Sequence, residues 1–216
     1  MSSYDEIRVR HIADQLALVR RNLEKRGFVA VIKETREEIL DFVGLLIPAG
    51  ASVGVGGSVT VRELGLPAML AERGNTVYDH WREGLSGEEA FETRRRQLTA
   101  DYFLTGTNAL TEDGKLVNID GTGNRVAAMS FGPGHVVVIA GAGKIARNLD
   151  EALWRVKNVA SPRNCRRLGL ITPCSVSGYC HDCGPDSSVC RITTILEYKP
   201  MNTAYTIILT PLMLGL

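Results

Sequence analysis

Residues 101–147 read DYFLTGTNALTEDGKLVNIDGTGNRVAAMSFGPGHVVVIAGAGKIAR, and this stretch decides the fold. Three short apolar runs, at 101–104, 115–120 and 135–140, each lead into a loop rich in Gly, Asn, Thr or Asp. Apolar runs of that length between turn-forming residues predict buried strands. The loops TGTNALTEDG, GTGN and GAGK carry the polar groups Asn108, Thr111, Asp120, Asn124, Arg125 and Lys144. In an open α/β sheet, loops at strand ends form the ligand crevice.

Upstream, the same grammar repeats. Ser2 or Ser3 can cap a first helix that ends at Gly27, with Ile7, Ile12, Leu16, Val19 and Leu23 on one face. A strand is expected over 28–32. Thr35 and Glu38 then form a capping box for a helix to about Ile47. A second strand over 51–55 runs into VGVGGSVTVRELGL. Gly54, Gly56 and Gly57 permit close backbone approach, and Ser58 stands at an N-cap position. Free N–H groups there suit an anion, although the spacing is neither a Walker A nor a dinucleotide fingerprint. The simpler alternative is a tight strand-to-helix turn. Helices follow over 66–72 and 87–99, with a short strand over 76–78 between them. His80 could line a site, although a surface or core-edge position is the commoner role of a lone histidine. Arg94, Arg95 and Arg96 cannot all share one helix face.

Downstream, Asn148 caps a further helix, and SPRN at 161–164 breaks it or starts another. Two β-rich runs, 191–198 and 203–210, flank KPMN and predict a C-terminal β-hairpin. Strands alternating with helices imply one α/β domain over residues 1–216 with a mostly parallel sheet, including an N-terminal helix over 1–27 and a Cys-rich segment over 165–191. The 216 residues are 44% hydrophobic with a net charge of +1, which suffices for a core and gives no electrostatic reason to expect nucleic acid or an anionic membrane as partner. No apolar run reaches the roughly 20 residues of a membrane span, and the charged N-terminus lacks the apolar centre of a leader. A cytoplasmic protein is expected.

GVGGSVTVRELGL, GTNALTEDGKLVNIDGTGNRVAA, PGHVVVIAGAGKI, ASPRN and TPCSVSGYCHDC together resemble the LUD-domain family, named for bacterial lactate-utilisation proteins. The resemblance runs from about Phe28 onward. It implies a Rossmann-like α/β domain, the fold shared by ribose-5-phosphate isomerase, glucosamine-6-phosphate deaminase and CoA transferases (NagB/RpiA/CoA-transferase-like). It also implies a role in oxidising lactate to pyruvate beside iron–sulfur redox partner proteins. The central motif is distantly similar to that of methylthioribose-phosphate isomerases, which have an Asp where this chain carries Asn108.

Two chemistries are available. Asp120, at a strand end before GTGN, is a candidate base or hydroxyl ligand, and Lys144 after GAG is a candidate catalytic amine. The residues expected to bind a small anionic metabolite are Gly54, Gly56, Gly57, Ser58, Asn108, Thr111, Gly121, Gly123, Asn124 and Arg125. Glu112-Asp113-Gly114 reads as a turn. The second chemistry belongs to Cys174, Cys180, Cys183 and Cys190, whose two-residue gap at 180–183 lets two thiolates reach one zinc or iron–sulfur centre. His181 and Asp182 are alternative ligands. Reduced structural or redox-switching thiols and a disulfide remain alternatives, and Cys165, set apart, reads as a small buried hydrophobe. Three functions stay open: a part in organic-acid oxidation; an isomerase, deaminase or CoA-transferase-like enzyme; and a metal-binding sensor or scaffold. A homo-oligomer is compatible with each.

Overall fold

The computed structural model describes residues 3–216. The chain runs α1 (Ser3–Lys25), β1 (Val29–Ile32), α2 (Arg36–Leu46), β2 (Ser52–Val55), α3 (Val59–Glu63), α4 (Leu66–Glu72), β3 (Thr76–Asp79) and α5 (Gly87–Gln97). It continues β4 (Tyr102–Gly106), β5 (Ala109–Thr111), β6 (Leu116–Asp120), α6 (Asn124–Ser130), β7 (His135–Gly141), β8 (Ile145–Ala146), α7 (Leu149–Arg155), α8 (Ser161–Arg167), α9 (Pro173–Ser177), β9 (Ile192–Leu196) and β10 (Ala204–Thr210). Capping by Ser2 or Ser3 lies outside the described residues and side chains. Thr35 does cap α2, its Oγ1 accepting from Glu38 N at 3.1 Å, and Asn148 caps α7 through Glu151 N.

Six strands form one sheet in the order β1-β10-β7-β4-β2-β3, with every neighbouring pair parallel. Val136, Val138 and Ala140 of β7 face one way, onto Leu16, Val19 and Leu23 of α1 and Met129 of α6. Val137 and Ile139 face the other way, onto Ile39 and Val43 of α2 and Leu66 and Leu70 of α4. Helices on both faces explain why β7 reads as an unbroken apolar run, VVVIA, without polar alternation.

A second sheet, β8-β5-β6-β9, is mostly antiparallel. Its core is Ala109, Val117 and Ile119 against Ala152 and Val156 of the α7 region. Two expectations are corrected here. The strand over 115–120 belongs to this small sheet, not to the main one. The C-terminal hairpin does not form either: β9 pairs antiparallel with β6, whereas β10 inserts between β1 and β7. The pattern of β10, AYTIILT, shows the reason. Tyr205, Ile207 and Leu209 feed one core and Ile208 the other, so the strand is apolar on both faces and needs cover on both. SPRN starts a helix, α8, reached through a widened π-type turn at Val156–Ala160.

Ile207→Ala should therefore cost about 2–5 kcal/mol, as for a fully buried aliphatic side chain in a central strand. Denaturant unfolding measures this. A cost below about 1 kcal/mol would suit an edge strand and contradict the central position.

Candidate functional site

In a parallel sheet all strand C-termini emerge on one edge. Here β2, β3, β4 and β7 deliver Ser58, His80, Asn108 and Lys144 to that edge, and β6 brings Asp120 across from the small sheet. These groups border one cavity of about 280 Å³. Gly57, Gly121, Asn124 and Arg125 border it as well. Ser58 caps α3, its Oγ accepting from Val61 N at 3.3 Å. Gly106 is required beneath it, because a Cβ there would stand 2.9 Å from Ser58 Oγ.

Four expected residues lie elsewhere. Gly54 packs on Gln97 and Phe103, and Gly56 on Thr105 Oγ1, so both glycines serve close packing within the protein. Gly123 takes φ +91° to start α6, with its missing Cβ facing Ile192. Thr111 is fully buried and bonds Asp113 and the backbone of Lys115. Glu112 and Asp113 hold α1: Gln15 Nε2 donates to Glu112 Oε1 at 3.0 Å, and Arg26 bonds the Asp113 carboxylate at 2.7 Å.

Arg125 is the most constrained of the cavity residues. Its guanidinium donates to Asn108 Oδ1 at 2.9 Å, Asn118 Oδ1 at 3.3 Å, Asp120 Oδ2 at 3.5 Å and the Ile119 carbonyl. Burial pulls its pKa below the usual arginine value, and Asp120 opposes that shift. Most of its donors are thus committed within the protein, and Asp120 orients Arg125 while also accepting from Val126 N. Lys144 is 5% exposed and donates to Thr60 Oγ1 at 2.8 Å. Burial, then the charges of Arg155 and Arg125, bring its ammonium down to about 7.

Several residues at the cavity escaped sequence reading or stood only as its less common alternative. His80 is buried, and burial with the nearby charge of Arg94 pushes its pKa down to about 4, so it is neutral at pH 7. Its Nδ1 meets Gln97 Nε2 at 2.9 Å, which as an accepted hydrogen bond leaves the proton on Nε2. The Arg62 and Arg167 guanidiniums both lie over the Trp81 ring, 4.3 and 4.2 Å from its centroid. Arg94 and Arg167 border the cavity, bringing its cationic side chains to four with Arg125 and Lys144, against the single side-chain carboxylate of Asp120 among the described residues.

Beside this cavity lies a much smaller one, of about 20 Å³, bordered by Cys174, Cys180, Cys183 and Cys190 and also by Cys165. Cys165 is therefore not set apart: its Sγ lies 3.8 Å from that of Cys174. His181 points away, with Nε2 2.7 Å from Ser177 Oγ and its ring stacked on Tyr179. Asp182 is exposed and paired with Lys157. Among the described residues no three His, Cys, Asp or Glu side chains already stand at ligand distance from one point.

An open parallel sheet covered by helices on both faces, with a polar cavity at its C-terminal edge, defines a Rossmann-like α/β fold. A family model for the LUD domain matches residues 16–210, and the chain belongs to the LUD-domain family. It is also similar in fold to the crystal structure of a DUF162 family protein from Deinococcus radiodurans, with 16% identity and a TM-score of 0.53, covering 92% of this chain and 98% of that one. No curated protein matches. No helix among the described residues is long and apolar enough to cross a membrane.

The Lys144 amine yields a stability prediction. Its folded pKa, about 7, lies below the ordinary 10.5, so between these values the unfolded chain binds more protons. This group's contribution to stability therefore rises with pH across that window and is flat below it. Lys144→Met should remove the rise, as denaturant melts at pH about 6, 8 and 9.5 would show. An unchanged pH slope in the variant contradicts the buried, readily deprotonated amine.

Proposed function

We propose that the cavity binds a small organic acid by its carboxylate and that the protein takes part in oxidising lactate or a related hydroxy acid. The observation that carries this reading is the charge imbalance of the cavity. Four cationic side chains stand against one side-chain carboxylate, which is itself paired with Arg125. An anionic ligand relieves the mutual repulsion of these cations in a partly desolvated space. In this reading Arg94 and Arg167 attract the carboxylate, His80 Nε2–H donates to it or to the adjacent hydroxyl, and Lys144, titrating near pH 7, exchanges the hydroxyl proton. Conversion to the keto acid releases two electrons and two protons, one from the hydroxyl and one from Cα; Lys144 and solvent take the protons, and the electrons pass singly to separate iron–sulfur partner proteins.

A second reading has its own support. An amine poised near pH 7 beside a neutral imidazole also suits proton transfer next to a carbonyl, the chemistry of an isomerase or deaminase acting on a sugar phosphate. Calorimetry with lactate, pyruvate, ribose 5-phosphate and an acyl-CoA separates the two. Under the first reading lactate or pyruvate binds, and Lys144→Met weakens it at least tenfold, about 1.4 kcal/mol. Affinity should also fall as pH rises through about 7, because the cavity then loses one of its four positive charges. Binding of the phosphate or CoA ester alone would favour the second reading, and binding of none of the four would overturn both.

A further inference from the structure

We propose that the cysteine pocket is a mononuclear thiolate metal site, held by Cys165, Cys174, Cys180 and Cys190 and suited to zinc. The proposal does not depend on the ligand or reaction of the larger cavity. Its first support is convergence. Five cysteines from α8, α9 and the 178–191 loop border one pocket. Apart from Val189, the cysteines' neighbours at the pocket are polar or charged: Lys157, Ser161, Thr172, Asp182, Ser187 and Ser188.

The second support is a distance. With zinc–sulfur bonds of about 2.3 Å, tetrahedral ligation sets neighbouring sulfurs about 3.8 Å apart. Cys174 Sγ donates to Cys165 Sγ at 3.8 Å, a separation that matches one edge of that tetrahedron. A disulfide would need about 2.05 Å. A pocket of about 20 Å³ admits one ion, whereas a cubane cluster with its own sulfides needs more room.

The other two ligands come from the loop. Among the described residues Cys180 Sγ and Cys190 Sγ both border the pocket and make hydrogen bonds there, to Asp182 N and Ser161 Oγ, whereas Cys183 Sγ makes none. Cys180 and Cys190 complete the set by an inward shift of a segment that is mostly irregular and exposed. Groups that tune a thiolate are already present. Asp182 N–H donates to Cys180 Sγ at 3.3 Å, and the Thr172 and Ser161 hydroxyls lie 3.3 Å from Cys174 and Cys190. Lys157 borders the pocket and offsets the negative charge of a tetrathiolate centre. Ligation would supply the ordering free energy that this loop's few apolar contacts do not.

The test is metal analysis of the full chain purified anaerobically under reducing conditions, without chelator or affinity-column metal, together with cobalt substitution. One zinc per chain is expected, with tetrahedral thiolate cobalt spectra. Cys165→Ser should weaken metal binding by more than about a hundredfold, exceeding the loss of an outer-shell partner, while Cys183→Ser retains it. Because Cys165 is buried, far-ultraviolet circular dichroism checks that its variant folds, and the wild-type cobalt spectrum decides the matter if it does not. A wild type that binds neither metal, an iron–sulfur chromophore, a Cys165–Cys174 cystine in the reduced preparation, or metal loss in Cys183→Ser with retention in Cys165→Ser would each overturn the proposal.

Discussion

A buried guanidinium must find partners for its N–H groups or remain in water, and Arg125 settles how the two sheets meet. It is on α6, beneath the main sheet, yet its acceptors are Asn108 after β4 and Asn118, Ile119 and Asp120 on β6. The two asparagines are cross-linked as well. Asn118 Oδ1 accepts from Asn108 N, and Asn108 Oδ1 accepts from Ile119 N. The small sheet is thereby held at a fixed angle to the strand ends of the large one. Removing any acceptor would leave a charged donor unpaired in a desolvated place, so the arrangement is strongly specified.

The cavity follows from that constraint. Once β6 is fixed there, Asp120 and Gly121 face the ends of β2, β4 and β7 across a gap that neither sheet fills. Lys144 enters the gap from the turn after β7 and has Thr60 Oγ1 as its hydrogen-bond acceptor. The positive charge of Arg125 is one of the causes that lower the Lys144 pKa, so the group that joins the sheets also tunes the amine. Structural and chemical roles therefore overlap, and substitutions at Arg125 would report on both at once.

The main sheet was legible because its signal is local. A parallel strand covered on both faces must be apolar throughout, and β2, β4 and β7 announce themselves in the sequence. The strand-end loops were legible for the same reason, so Ser58, Asn108, Asp120 and Lys144 could be named in advance. Pairing partners are not local. Residues 191–198 and 203–210 look like a hairpin because a short turn usually joins neighbours, yet each run finds a better partner far away. Arg94 and Arg167 were hidden for a related reason, and His80 stood only as the less common of two readings. Each is an ordinary surface-type residue in its own segment, and only the crossing of α5, α8 and the β3 end brings them to one place. Thr111 was misplaced because a hydroxyl in a polar loop reads alike whether it faces a ligand or the adjacent turn.

The two cavities share a wall. Ser161 and Val189 border both, with the Ser161 hydroxyl turned toward Cys190 and the Val189 carbonyl 3.0 Å from where a Cβ on Gly121 would stand. Gly121 is thus glycine because the Cys-bearing loop lies directly on it. The loop covers the Asp120 side of the larger cavity, and Cys190 N–H and the neighbouring Arg191 N–H fix its return, the latter donating to the Asp120 carbonyl at 3.0 Å. Whatever fixes the sulfurs also fixes Val189, and through it one side of the larger cavity. The segment has little regular structure and few buried apolar side chains, and its order and the shape of the larger cavity are linked by direct contact.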